Sequence, residues 1–329
     1  PASSSKLIMV GGTDSSSKYD GLAYSYDGVN FYGVLAENTP TNQVYDILYA
    51  AGIWVGMSDN THSIVYSYDG ISWTGADNQS IYEFNGHCVA YGNSMFVSGG
   101  YGSTNTMAYS YDGINWTGLG NDSSKGIHPS RCRAIAFGNN MFVSGGDSDD
   151  RLNYSYDGLT WNWGTHGSSM FSSVRGIAYG NDIWVAVGTG TTHTIAYSTD
   201  GVTWTGAGKT IFTGDGYSVA YHNGLWVAGG RTTNSLAYST DGINWTGLGT
   251  SDISEVYAVR NINGVWYAGG NNGLKKSADG ITWFYEGKVE GADSQILCLG
   301  GKVDTVYTSV NTRITPNTIS FPESKYIAI

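Results

Sequence analysis

Seven aspartates set in one repeated context are the first residues in this sequence that could do chemistry. Each stands in Ser-x-Asp-Gly-x-x-Trp, at Asp27, Asp69, Asp112, Asp157, Asp200, Asp241 and Asp279, with Phe31 replacing the tryptophan in the first copy. Seven carboxylates in one setting could bind seven cations, but an oxygen cage needs more ligands than one side chain supplies. No second carboxylate recurs at a fixed offset. The same residues have a structural use: Asp before Gly accepts backbone N–H groups of its own turn, Gly takes the positive φ, and Trp packs beneath. The sequence therefore predicts structural turns, with no metal and no cofactor.

A second set of residues suits recognition. Five residues before each box Ser stands a side chain able to hydrogen-bond: Asp20, His62, Asn105, Asp150, His193, Asn234 and Asn272. Two readings stay open for them, as caps on the start of a strand or as contacts to a polyhydroxylated ligand. Beside them an aliphatic or Met residue followed by an aromatic recurs in Ile81-Tyr82, Met170-Phe171 and Ile211-Phe212. The rings of Tyr82, Phe171 and Phe212 suit the C–H face of a sugar, and they also suit burial between repeats. His62 and His193 are equivalent positions in non-adjacent repeats and cannot share an ion. Asp147, Asp149 and Asp150 form an acidic cluster that an exposed loop explains as well.

The elements that must hold these residues follow from the spacing. Successive box aspartates are 42, 43, 45, 43, 41 and 38 residues apart, a period that makes each repeat one supersecondary unit. Gly, Asn and Asp clusters divide each repeat into four short strands with period-two patterning. An inner strand A (Val89-Ala90-Tyr91, Ile135-Ala136-Phe137, Ile177-Ala178-Tyr179) is followed by B (Met95-Phe96-Val97, Ile183-Trp184-Val185), then by C, which ends in the box Ser, and by D, which begins at the box Trp. Four strands per unit predict an all-β, seven-bladed β-propeller with antiparallel blades. The N-terminal stretch supplies only B, C and D of its blade, and Ser294 to Leu299 supplies the missing A. Strands from both termini thus close the ring and remove its edges. The propeller is assigned to residues 1–310, and 311–329 form a C-terminal tail packing on it or extending from it. A second B-like strand at Thr305-Val306-Tyr307 does not fit, because the N terminus already fills that place.

The motif Ser-x-Asp-Gly-x-x-Trp resembles the Asp box, or BNR repeat, of sialidase-type propellers. The run Ala237 to Gly247 also resembles tandem-repeat propeller proteins of large DNA viruses. The first resemblance implies a glycosidase with an arginine cluster, a Tyr/Glu nucleophile pair and an acidic proton donor. The family's Phe-Arg-Ile-Pro-type motif is absent, however. Arg131, Arg133, Arg151, Arg175, Arg231, Arg260 and Arg313 do not follow its spacing, and Glu37, Glu83, Glu255 and Glu286 stand in no recognisable catalytic context. No enzymatic activity is expected.

Composition narrows the partners. A net charge of -11 disfavours nonspecific attraction to nucleic acid or anionic lipid, and no apolar stretch is long enough for membrane insertion. Charged residues are only 13%, about half the usual quarter, so the surface is rich in Ser, Thr, Asn, Gly and Tyr, as in extracellular and sugar-contacting proteins. Cys88, Cys132 and Cys298 lack metal-ligand spacing, and a Cys88–Cys132 disulfide stays open. Pro1 to Lys6 does not read as a classical signal peptide. The expectation is a non-enzymatic, multivalent, lectin-like module that binds glycans or glycoconjugates through the face carrying the B–C and D–A loops, at an extracellular, virion or cell surface. The alternative is a structural or protein-binding scaffold that docks a partner through the C-terminal tail.

Overall fold

The computed structural model describes residues 7–302 except 15–17, 40, 60–61, 77–80, 148–151, 167–169 and 251. Asp150, the side chain of Asp20, Thr305–Tyr307 and the tail 311–329 lie outside the described residues.

Seven antiparallel sheets, one per repeat, form the blades of a propeller. Blade 1 runs Gln295–Gly301, Ile8–Thr13, Tyr19–Ser25, Tyr32–Leu35, so the last described strand lies innermost beside the first. Ile8 to Thr13 pairs antiparallel with Gln295 to Gly301, which closes the ring as the repeat phase predicts. The inner strands of blades 2 to 7 are Val44–Ala50, Asn85–Gly92, Cys132–Gly138, Ser173–Gly180, Gly216–His222 and Val256–Ile262. Blade 5 gains a short fifth strand, Thr165–His166, parallel to Thr203 and Trp204.

Strands A and B are joined by tight two-residue turns. Asn93-Ser94, Asn139-Asn140 and Asn181-Asp182 have both φ angles positive, the geometry that matches strand twist and that Asn tolerates well. At the C–D turn the box works as its chemistry requires. In blade 3, Asp112 Oδ1 accepts from the N–H of Ile114 (2.9 Å) and Asn115 (2.8 Å), Gly113 N–H donates to Ser110 Oγ (2.9 Å), and Trp116 Nε1–H donates to Gly113 O (3.1 Å). Gly113 has φ +79°, and an added Cβ would press on Val55 and Ile53 of the preceding blade. Trp116 packs in one cluster with Ile53, Val55, Met57 and Ile64 of blade 2 and Phe96 and Ala108 of blade 3. The box is thus a turn and an inter-blade anchor together.

Seams between blades are apolar inside and pinned near the axis. Val89 N–H of blade 3 donates to the half-buried Asp46 carboxylate of blade 2 (2.9 Å), and Val259 N–H of blade 7 donates to Ser218 Oγ of blade 6 (3.0 Å). Single β-bridges join the end of one B strand to the start of the next A strand at Thr13 and Gln43, Tyr101 and Arg131, Asp147 and Ser173, Arg231 and Glu255, and Asn271 and Gln295. Cys88 and Cys132 are free buried thiols with their sulfurs 4.0 Å apart across one seam, and Cys298 is likewise free and buried.

Candidate functional site

Every inner strand carries one irregularity at the same place. Register shifts fall between Val44 and Asp46, Gly86 and Cys88, Cys132 and Ala134, Val174 and Gly176, Gly216 and Ser218, and Val256 and Ala258, and blade 1 shifts opposite Leu297. A bulge leaves one residue outside the ladder and re-aims its side chain. The residues so released are Tyr45, His87, Arg133, Arg175, Tyr217, Tyr257 and Leu297. All seven line one concavity of about 360 Å³ at the axis, with Gln43 and Gln295 on its rim. Because inner strands begin where the D–A loops arrive, this funnel opens on the face that carries the B–C and D–A loops.

The lining falls into arcs. Tyr45 and His87 meet edge to face at 5.1 Å, and Tyr217 and Tyr257 do so at 4.9 Å. Between these aromatic pairs lie Arg133 and Arg175. Arg133 Nε donates to Asp147 Oδ1 (2.6 Å), and Arg131 shares the same carboxylate at 3.5 Å. Arg175 donates to Thr189 Oγ1 (3.0 Å) and its guanidinium lies 5.3 Å from the Tyr217 ring. Among the described residues no carboxylate oxygen comes within 4 Å of Arg175, so this arc is net positive. Across the funnel Tyr257 OH donates to Glu255 Oε2 (2.8 Å), with Tyr217 OH 3.5 Å from the same oxygen. Arg231 pairs with Asp215 at 2.5 Å and with Glu255 at 3.9 Å.

These surroundings set the protonation states. Burial, and then the Arg133 and Arg131 charges, hold His87 down at about 3, so its imidazole is neutral near pH 7. Burial pushes Tyr217 up to about 12; the Arg231 charge opposes the shift, and the Glu255 and Asp215 carboxylates add to it. Burial and the Glu255 carboxylate also raise Tyr257. The funnel therefore presents neutral aromatic donors beside guanidinium groups.

The residues expected from sequence to contact ligand are placed differently. Tyr82, Phe171 and Phe212 are almost wholly buried; they fill the seams between blades and offer no face to a ligand. Asn105 Oδ1 accepts from Gly120 N–H (2.9 Å), Asn234 Oδ1 from Gly249 N–H (2.8 Å) and His193 Nδ1 from Gly208 N–H (2.9 Å). These side chains lie flat over Gly118, Gly247 and Gly206, and His62 lies over Gly75 in the same way. Asn105, His193 and Asn234 thus close the C–D hairpin of their own blade, so they do not form a free ring of donors. Asn272 sits at φ +71° and accepts from Tyr285 OH through its carbonyl. The sequence did hold a sign of the true lining: an aromatic or basic residue stands two places before the strand-A aliphatic at Tyr45, His87, Arg133, Arg175, Tyr217 and Tyr257.

No family model matches the chain, and no curated protein matches it. Its shape is similar to solved structures. The likeness is one of fold. It superimposes on the computationally designed Ika8 protein with a TM-score of 0.55 at 16% identity, covering 88% of this chain and 89% of that one. The GH74 enzyme of Niastella koreensis gives 0.54 at 17% identity over 76% of this chain, which spans only 38% of the enzyme. The WD40 propeller domain of Doa1 gives 0.55 at 11% identity, over 78% of this chain and 84% of that domain. An enzyme and a WD40 domain on one fold leave function to the residues of the site.

Proposed function

We propose that this propeller is a non-catalytic recognition module that binds glycans in the central funnel of its loop face. One observation carries the reading: paired aromatic rings alternate with guanidinium groups at the bulged position of successive inner strands. Aromatic faces receive the C–H surface of a sugar ring, while Tyr hydroxyls, Gln43, Gln295 and the arginines meet its hydroxyl groups and any acidic substituent. The earlier expectation of seven equivalent contacts gives way here to one axial site, because Asn105, His193 and Asn234 hold their own hairpins. Kinship with Asp-box propellers belongs to the same reading and is supported by the box geometry. So does a setting at an extracellular, virion or cell surface, where glycoconjugates are met. A glycan array probed with the intact protein tests it. Binding that is weakened by Tyr217→Ala supports it, and a blank array at millimolar saccharide contradicts it.

A second reading is favoured by the Tyr257–Glu255 hydrogen bond, since a phenol paired with a carboxylate beside arginines is what the sialidase resemblance requires of a nucleophile. Against it, burial and the carboxylate both keep Tyr257 protonated, and Glu255 is also engaged by Arg231. A fluorogenic sialidase assay separates the two readings: turnover abolished by Tyr257→Phe would establish hydrolysis.

A further inference from the structure

Between blades 6 and 7 the loop face carries a second concavity, of about 340 Å³, lined by Gly214, Arg231, Thr232, Thr250, Ser254 and Glu255. It shares no lining residue with the funnel, but side-chain contacts join the two. Arg231 and Glu255 line it, and Glu255 is the carboxylate that receives Tyr257 OH inside the funnel, while the Arg231 guanidinium lies 6.0 Å from the Tyr217 ring. Asp215 and Glu255 fix Arg231 from two sides, so the boundary between funnel and groove is preorganised.

Thr232 marks the groove as more than a gap between loops. Its φ is +86°, a region that a β-branched residue rarely enters and that costs backbone strain. Glycine would sit there without strain, yet a hydroxyl and a methyl line the groove instead. Gly214 accommodates them, because an added Cβ at that position would collide with Thr232 Oγ1. Two other seams are filled at the corresponding height. Tyr101 stacks on Phe84 at 4.4 Å and is covered by the Arg131 guanidinium at 4.1 Å, and Lys209 Nζ reaches across to Gly190 O (2.7 Å).

Building on the glycan reading of the funnel, we propose that the site takes one linear saccharide chain per propeller. One ring sits against Tyr217 and Tyr257, and the following rings lie along the seam between blades 6 and 7. The groove is lined by three hydroxyl side chains with one guanidinium and one carboxylate, which suits alternating donors and acceptors of a polyhydroxylated segment and offers little to an apolar one. A ligand of this length gains from the second subsite what a single ring lacks.

The test uses the intact protein and soluble linear glycans, neutral and uronic-acid-containing, graded from one ring to five and titrated by calorimetry to millimolar concentration. Affinity is expected to rise steeply from one ring to three and then level off, at one chain per propeller. Thr232→Gly keeps the backbone and should lower affinity for the three-ring glycans by about five-fold, the worth of a lost hydrogen bond, with single-ring binding unchanged. Ser254→Ala should act in the same direction. Binding that is independent of chain length, or three-ring binding that Thr232→Gly and Ser254→Ala leave untouched, would overturn the groove while leaving the funnel standing. Absence of binding throughout the series would overturn both.

Discussion

Each box aspartate is a small electrostatic device, and its titration is visible in stability. At Asp27 the N–H groups of Val29 and Asn30 hold the carboxyl well below the carboxylate range. At Asp112 burial opposes the shift, but the Asn115 carboxamide and the turn amides outweigh it and hold the group at about 2 rather than the usual 3.8. A depressed native pKa means stability that is complete above the unfolded value and lost as pH falls through the native one. Equilibrium unfolding followed by circular dichroism should therefore show the Asp112 contribution waning from about pH 4 to pH 2. His87 works on a higher window: held at about 3 against an ordinary 6.5, it contributes stability above pH 6.5 that is lost as pH falls toward 3. His87→Gln should flatten the stability profile in that interval, and an unchanged slope would mean that the imidazole is solvated. Trp116, 1% exposed, anchors two blades, so Trp116→Ala should cost about 3–5 kcal/mol in denaturant unfolding.

The element scale shows where sequence reading succeeded and where it stopped. Blade count, strand order and the Asp-Gly turn were legible because each depends on local chemistry that recurs in every repeat: Asp-Gly for the turn, an aromatic anchor after it, alternation for the strands. The ring of polar residues before the boxes was legible as a pattern but not in its purpose. Asn105 and Gly118, His193 and Gly206, and Asn234 and Gly247 are partners across a hairpin, and the Gly of each Trp-Thr-Gly is the space its polar partner fills. Asn234→Ala should accordingly leave the Gly249 amide without its acceptor and cost about 1 kcal/mol by thermal unfolding. The funnel was hidden for a different reason. A bulge shifts one residue out of the period-two pattern, so Tyr217 and Arg175 read as strand-flanking residues until the register places them at the axis. Thr232→Gly gives the opposite sign to the other variants, since relief of a positive φ should raise stability by about 1 kcal/mol.

For the whole molecule, closure and asymmetry matter most. The ring is closed by Gln295 to Gly301, the inner strand of blade 1, and without it Ile8 to Thr13 becomes an open apolar edge. A chain ending before Gln295 should lose cooperative unfolding and aggregate on size-exclusion chromatography. Seven near-identical blades nevertheless build an unequal funnel, with Arg133 and Arg175 on one side and Tyr217 and Tyr257, backed by Asp215 and Glu255, on the other, against a chain of net charge -11. Repetition supplies the frame, and the bulged positions, free of the ladder, carry the differences. That the funnel binds a saccharide is tested most directly by calorimetric titration of an array-selected glycan into the wild-type protein and Tyr217→Ala. One glycan per propeller is expected, with an affinity lower by about three- to ten-fold in the variant, the worth of one aromatic face. Binding at many equivalent sites, or binding indifferent to Tyr217, would contradict it.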